Sequence, residues 1–328
     1  MTPTPLSFRE AVREAMAEAM RADPSVFLMG EDIGVYGGAF GVSKGLLDEF
    51  GPDRVLQTPI SENSFVGAAV GAAAGGLRPI VEIMFADFLT CCTDALVNHA
   101  AKFRYMYDGK LTVPMVLRTP MGRRFGYGAT HSQSPEAFFL HVPGLKVVAP
   151  HSPNDAKALL LASIHDPDPV LFFEHKLLYD TVEERSSGDE TVRLGEARVV
   201  RPGRDVTLIS YARGVTLSLE AASALVEQGI QCEVIDLRTL APMDVATCIA
   251  SVRRTGRAVV VSEDCLTGGV ASAVAVELGE RAFEYLLGPI ARVSAVDVPV
   301  PSGPVLEDAV MVSSEEIARQ AQHLVRSY

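Results

Sequence analysis

The stretch LKVVAPHSPNDAKALLLASIHDPDPVLFFE, residues 145–174, decides the fold class. It holds an apolar run at 145–150, a helical pattern over 152–166 and a second apolar run at 169–174. Ser152 followed by Asp155 is a helix-start signal. Val- and Phe-rich runs on both sides of a helix are typical of a buried parallel sheet. The stretch therefore predicts a β-α-β unit.

The same alternation continues in both directions along the chain. Further strands are predicted at 25–30, 79–85 and 113–119, and further helices at 9–22 and 87–106. The pattern stops over the polar, turn-rich residues 181–204 and resumes with strands at 205–212, 232–240 and 258–264 and a C-terminal helix. We therefore predict two α/β domains with mostly parallel sheets, 1–180 and 205–328, joined by a linker over 181–204.

Composition narrows the class of function. The 328 residues carry a formal net charge of -12, which argues against nucleic acid or an anionic membrane as a partner. No apolar run reaches the roughly 18 residues of a membrane span. The five cysteines include no CxxC pair, and their odd number does not suggest a disulfide framework. We expect a cytoplasmic protein.

A run of small residues follows a lone carboxylate, Glu62. Gly67, Gly71 and Gly75 recur every fourth position, so a helix would place them on one face. Each glycine costs up to about 1 kcal/mol in a helix interior, which suggests that close contact offsets the cost. The contact could be with the sheet, another subunit or a flat cofactor. Glu62 could be a simple helix cap or a functional acid.

Four segments together resemble one protein family: TPISENSF (58–65), GAAVGAAAGGLRPIVEIMFADF (67–88), HSQSPEAFFLHVPGLKVVAPHSPNDAKALL (131–160) and PVLFFEHKLLYD (169–180). They resemble the beta subunit of the thiamine-diphosphate-dependent decarboxylating component of 2-oxo acid dehydrogenase complexes. CEVIDLRTLAPMD (232–244) and VVVSEDCLTGGVASAVA (259–275) are similar to the family's C-terminal half. The resemblance implies two three-layer α/β domains, a transketolase-like pyrimidine-binding domain followed by a transketolase C-terminal domain.

The resemblance also implies partners. Thiamine diphosphate would be shared with an alpha subunit in an alpha2beta2 heterotetramer, and the alpha subunit would hold the diphosphate through Mg²⁺ and a GDG motif. That motif is absent from this chain, where YDGK (107–110) is the nearest match. A lipoyl-bearing acyltransferase core would accept the acyl group. We assign no metal site to the chain itself.

The family's site residues carry over to four positions. Glu62 is expected to hydrogen-bond the cofactor's aminopyrimidine and so favour removal of the thiazolium C2 proton. Phe85 and Phe88 are expected near the pyrimidine ring, with Phe88 the better match. His131 is expected to assist reductive acylation of the lipoyl group, and the glycine-rich residues 121–131 to form a mobile loop.

The substrate is left open by the sequence. HSQSPEAFF (131–139) resembles branched-chain enzymes, whereas FFEHKLLY (172–179) is closer to acetoin and pyruvate enzymes. A related two-component thiamine enzyme of secondary metabolism is a further alternative. A non-catalytic scaffold that kept the fold is the alternative from another class. A potassium site near Ser163, Asp166 and Asp168 occurs in some relatives, and we do not assign it.

Overall fold

The computed structural model describes residues 5–186 and 192–328, which fall into two compact units. The first unit comprises the described residues of Met1–Met121 and Phe138–Leu194. The second comprises Gly122–Ala137 and Gly195–Tyr328. The segment Gly122–Ala137, whose neighbours along the chain on both sides belong to the first unit, is therefore part of the second unit. No helix in the described part of the chain is long and apolar enough to cross a membrane.

The first unit is built on a parallel sheet. Its strands are β1 Pro5–Ser7, β2 Val26–Glu31, β3 Val55–Thr58, β4 Arg78–Glu82, β5 Val116–Met121, β6 Lys146–Val148, β7 Val170–His175 and β8 Val182–Glu184. Within the unit, the parallel strands lie in the order β6-β7-β5-β4-β2-β3, and β1 pairs with β8 in a separate antiparallel ribbon. The helices of this half are α1 Phe8–Ala22, α2 Leu46–Phe50, α3 Glu62–Ala74, α4 Ala101–Met106, α5 Glu136–Leu140 and α6 Pro153–His165.

The predicted β-α-β unit is confirmed. Helix α6 begins one residue after Ser152, whose hydroxyl accepts a hydrogen bond from the Asp155 amide at 3.3 Å. Strands β6 and β7 on either side of it pair in parallel. The apolar face of α6, which includes Leu159 and Leu160, is fully buried. The capping residue and the buried apolar face therefore both belong to the helix that the sequence pattern predicts.

The helix predicted over 87–106 is wrong as a single element. The segment forms a 3-10 helix at Ala86–Cys92, a π-helix at Ala95–Ala100 and then α4. Two hydroxyls bond back to main-chain oxygens here, Thr90 to Asp87 at 3.0 Å and Thr93 to Leu89 at 2.9 Å. Such local bonds compete with regular helix hydrogen bonding.

The second unit contains a smaller sheet. The sheet is formed by β9 Arg198–Arg201, β10 Val206–Ser210, β11 Cys232–Asp236, β13 Ala258–Cys265 and β14 Ala291–Ala295. The unit also contains the short strand β12 Thr239–Ala241, which is not part of this sheet, and the helices α7 Ala212–Val226, α8 Val245–Thr255, α9 Val270–Arg281, α10 Pro304–Val310 and α11 Ser314–Ser327. The order is β14-β13-β10-β11-β9, with only β9 antiparallel to its neighbour.

The side chains of each strand alternate between the two faces of this sheet, and helices cover both faces. Val206 and Leu208 pack into the core formed with α7 and α11. Thr207 points the other way, and its hydroxyl lies 2.7 Å from those of Ser251 and Thr255 on α8. Helices on both faces give the three-layer arrangement that the sequence predicts.

The predicted linker contains regular structure. Strand β8 lies at its start, and β9 pairs with β11 through Val234 and Arg201. An edge strand has one unpaired side, and it tolerates charged residues such as Arg198 and Arg201. Such a strand therefore resembles a loop in composition. Residues 187–191 of the predicted linker lie outside the described residues.

Candidate active site

Two carboxyl groups adjoin at the end of β2 and the start of α3. Glu62 is the first residue of α3 and is half-buried. Glu31 ends β2 with only 2% of its surface exposed, and its Oε1 accepts a hydrogen bond from the Ser61 amide at 3.3 Å. Its Oε2 has no hydrogen-bond partner among the described residues.

The two acids lie in different environments. Burial first, and then the charge of Glu62, raise the pKa of Glu31. Glu31 is therefore the acid whose surroundings favour the protonated form. Glu31 was missed in the sequence, where it directly follows the strand predicted over 25–30.

The two predicted aromatic residues lie together in the first unit. The rings of Phe85 and Phe88 meet edge to face with centroids 5.9 Å apart. Phe85 also meets Phe40 at 5.7 Å, and the ammonium of the buried Lys176 lies 5.3 Å from the Phe85 centroid. Both Phe85 and Phe88 are only half-buried, so part of each ring can contact a flat ligand.

A buried ion network joins the central strands of the same sheet. The Arg118 guanidinium donates to Glu174 through Nε and Nη2 at 2.7 and 2.8 Å, and to Glu82 through Nη1 at 2.6 Å. The Tyr179 hydroxyl donates to Glu174 at 2.8 Å. Burial raises the pKa of Glu82 and that of Tyr179. The network links β4, β5 and β7 and is a second feature that the sequence motifs did not reveal.

The glycines of α3 do not pack against the sheet. Gly67 and Gly71 are exposed, and a Cβ added at either would meet no described atom within 4 Å. Gly75 lies at the C-terminal end of the helix. The opposite face is the buried one and includes Phe65, Val66, Ala69, Val70 and Ala73. Tight packing on the chain's own sheet therefore does not explain Gly67 and Gly71.

His131 belongs to the second unit, whereas Glu62, Phe85 and Phe88 belong to the first. The imidazole is half-buried, and its Nδ1 lies 3.0 Å from the Thr130 hydroxyl. The backbone amide of His131 also donates to the Gly128 carbonyl at 3.3 Å. A tight turn therefore fixes the backbone at this residue.

The region of the unassigned potassium site is occupied by cationic side chains. The Lys146 ammonium lies 2.6 Å and 2.7 Å from the two Asp166 oxygens and 3.3 Å from Asp168. Arg104 binds the other oxygen of Asp168 at 2.6 Å. Both carboxylates thus have cationic partners from this chain.

Comparison with known proteins gives the family. Residues 4–181 match the transketolase pyrimidine-binding domain, and residues 195–317 match the transketolase C-terminal domain. The chain is 46% identical over 321 residues to the mitochondrial pyruvate dehydrogenase E1 component subunit beta-2 of Oryza sativa subsp. japonica, covering 97% of this chain and 85% of the relative. The chain belongs to the beta-subunit family of the 2-oxo acid dehydrogenase E1 components.

Two further proteins are similar to this chain. The beta subunit of acetoin:2,6-dichlorophenolindophenol oxidoreductase from Cupriavidus necator is 44% identical over 331 residues, with 98% of each chain covered. A solved split-gene transketolase, an inactive beta4 tetramer, has a TM-score of 0.82 at 24% identity, over 98% of this chain and 99% of that one. The latter likeness confirms the predicted fold class.

Proposed function

We propose that this chain is the catalytic beta subunit of a thiamine-diphosphate-dependent 2-oxo acid dehydrogenase that works with an alpha subunit. The observation that carries the proposal is the adjoining pair Glu31 and Glu62 at the start of α3, within a unit that also presents two half-buried aromatic rings. Pyruvate or a branched-chain 2-oxo acid is the proposed substrate.

The residues fit the pyrimidine end of thiamine diphosphate. The unpartnered, buried Oε2 of Glu31 and the carboxylate of Glu62 can share one proton between them. Glu62 would bind a ring nitrogen, and Phe85 and Phe88 would pack against the ring. When bound, the cofactor supplies a carbon nucleophile and an electron sink, while the protein supplies position and charge.

His131 would serve the second half of the reaction. A histidine titrates near neutral pH, so it can donate a proton to a lipoyl sulfur as the acyl group is transferred. The acyltransferase core would bring the lipoyl group.

The alpha subunit would complete the site. This chain has no GDG motif, so the diphosphate and its Mg²⁺ are proposed to be held by the alpha subunit. The exposed small-residue face of α3 is the proposed close contact between subunits, because Gly67 and Gly71 let a neighbouring backbone approach. The proposed assembly is an alpha2beta2 heterotetramer. The predicted cytoplasmic location stays a prediction.

Calorimetry tests the proposal directly. Thiamine diphosphate with Mg²⁺ is titrated into this chain alone and into the chain co-purified with a candidate alpha subunit. We expect binding only by the assembled protein. Binding by the chain alone would refute the shared site, and an assembled protein that binds no cofactor would favour the scaffold alternative.

A matched pair of variants tests the role of Glu62. Glu62→Gln should lower decarboxylation by about 10²–10⁴-fold without loss of assembly, since it removes the acid but not the shape. Asp48→Asn is the control, because Asp48 is an exposed carboxylate in the first turn of another helix, α2. Near-normal decarboxylation by Glu62→Gln would overturn the assignment.

The second candidate is an acetoin-cleaving enzyme. It is favoured by the Cupriavidus relative, which matches this chain over nearly its full length. Reduction of an artificial electron acceptor, measured with pyruvate, branched-chain 2-oxo acids and acetoin in parallel, separates the candidates. The substrate with the highest kcat/KM identifies the enzyme.

A further inference from the structure

The strand order of the second unit reverses at β10, the point at which open α/β sheets form a crevice. From β10 the chain passes through α7 to β11 on one side, and later through α8 to β13 on the other side. Open α/β sheets bind ligands at such a point, beyond the carboxyl ends of the strands. Here the two strands end at Ser210 and Cys265.

The chain itself supplies a carboxyl group to this place. Glu136, from the segment Gly122–Ala137, has none of its surface exposed. Its Oε1 accepts a hydrogen bond from the hydroxyl of Tyr211, the residue after β10. Its Oε2 has no hydrogen-bond partner among the described residues. A desolvated carboxylate with one donor is costly, so the neutral acid is the favoured form.

The charges around Glu136 also favour its neutral form. Asp264 on β13 accepts from the Ser262 hydroxyl and, at 2.6 Å, from the Val270 amide at the start of α9. Burial raises the pKa of Asp264, and these two donors oppose that rise. Glu263 is paired with Arg213 at 2.9 Å, so that cation is already engaged.

The proton therefore resides on Glu136. Burial first, and then the charge of Asp264, raise the pKa of Glu136 to about 8. The hydroxyl that faces it, Tyr211, has its own pKa raised by burial and stays a donor.

A second contact holds the other end of the segment. Arg123 is 7% exposed, and its Nη1 lies 2.7 Å from Asp308 on α10. Its Nε lies 3.7 Å from the buried Glu307. The Gly122 amide donates to the Gln133 carbonyl at 3.0 Å and closes the base of the loop. His131 lies between the two contacts, in a segment that was expected to be mobile.

We propose that Glu136 is a positioning residue for His131: as a neutral acid bound to Tyr211, it fixes the segment Gly122–Ala137 in the crevice of the second unit, and loss of its proton releases the segment. The consequence for catalysis rests on the proposed function. The docking of the segment does not depend on the proposed function, and it is measured separately.

Amide hydrogen exchange tests the docking in the assembled protein. Protection of peptides from 122–137, corrected for the intrinsic exchange rate, is followed from about pH 6 to about pH 9.5. Wild type should lose up to about tenfold in protection per pH unit as the pH rises to about 8, and should level off above it, because only the docked segment keeps the proton on Glu136 in that range. Glu136→Gln should keep its protection across the range. Flat protection in wild type would overturn the proposal.

Two further variants keep the test decisive if Glu136→Gln folds poorly. Tyr211→Phe removes the donor and should lower protection of the segment at every pH. Glu220→Gln on α7 replaces an exposed acid and should behave as wild type. Unchanged protection in Tyr211→Phe would contradict the proposal.

Activity provides the separate second measurement. Lipoyl acylation by wild type should fall as the pH rises to about 8, in parallel with the loss of protection, and this fall should be absent in Glu136→Gln. A pH-dependent release without any acylation activity would reject the proposed function and leave the docking intact. The same alkaline fall in both proteins would reject the positioning role.

Discussion

Replacing Arg118 by Met should destabilise the first unit strongly. The side chain is 1% exposed and makes three hydrogen bonds of 2.6–2.8 Å to Glu82 and Glu174, which are themselves buried. Removing one partner of a buried ion pair costs about 3–5 kcal/mol, because the remaining charge loses its compensation. Two carboxylates share this guanidinium, so we expect the upper part of that range.

The assay is thermal unfolding, with a surface pair as control. For a unit of about 150–250 residues, each kcal/mol shifts the midpoint by about 2–4 °C, so Arg118→Met should lower it by roughly 6–20 °C. Arg21→Met removes an exposed pair with Glu49, of 60% and 40% side-chain exposure, and should leave the midpoint almost unchanged, because solvent screens such a pair. Equal midpoints for the two variants would refute the reasoning.

The pH dependence gives an independent check. Without Arg118, the pKa of Glu82 should rise further, since burial already raises it and the opposing cation is gone. The folded variant then binds more protons than its unfolded chain, so its deficit should shrink as the pH falls. A deficit that grows on acidification would contradict the network.

Three further variants test the site. His131→Ala should reduce lipoyl acylation about 10²–10⁴-fold and decarboxylation with an artificial acceptor much less; equal losses in both assays would reject this division. Gly71→Leu should weaken assembly with the alpha subunit, and unchanged sedimentation of the complex would exclude an interface at α3. Glu31→Gln should gain stability relative to wild type as the pH rises above about 4.5, because the raised pKa of Glu31 makes the folded wild type bind more protons there. A constant difference in unfolding midpoint between about pH 5 and 8 would show that Glu31 ionises normally.

The sequence predicted elements whose signals come from several residues at once. The β-α-β unit over 145–174 combined a cap, a buried helix face and two apolar strands, and the structure has all of them. The helix over 87–106 failed because Thr90 and Thr93 redirect hydrogen bonds locally, which apolar periodicity does not report. Strand β9 was missed because an edge strand carries the charged composition of a loop.

Site residues were predicted only where a motif marked them. Glu62, Phe85, Phe88 and His131 came from the family resemblance. Glu31 lies outside the segments that resemble the family, and Glu136 lies within one of them without a role implied by the resemblance. Both differ from other acids in burial and in the charges around them. Burial of a single polar residue depends on tertiary packing, so no local pattern could have identified either one.

Because Gly122–Ala137 belongs to the second unit, the chain cannot be cut between its two domain families without separating contacting residues. A gene fragment ending near residue 181 would encode this segment without its partners. Arg123 would be left without Asp308, and Glu136 without Tyr211. Such a fragment would expose a basic and an acidic residue that the intact chain buries. The two halves are therefore not independent modules for recombination, although each matches a separate domain family along the sequence.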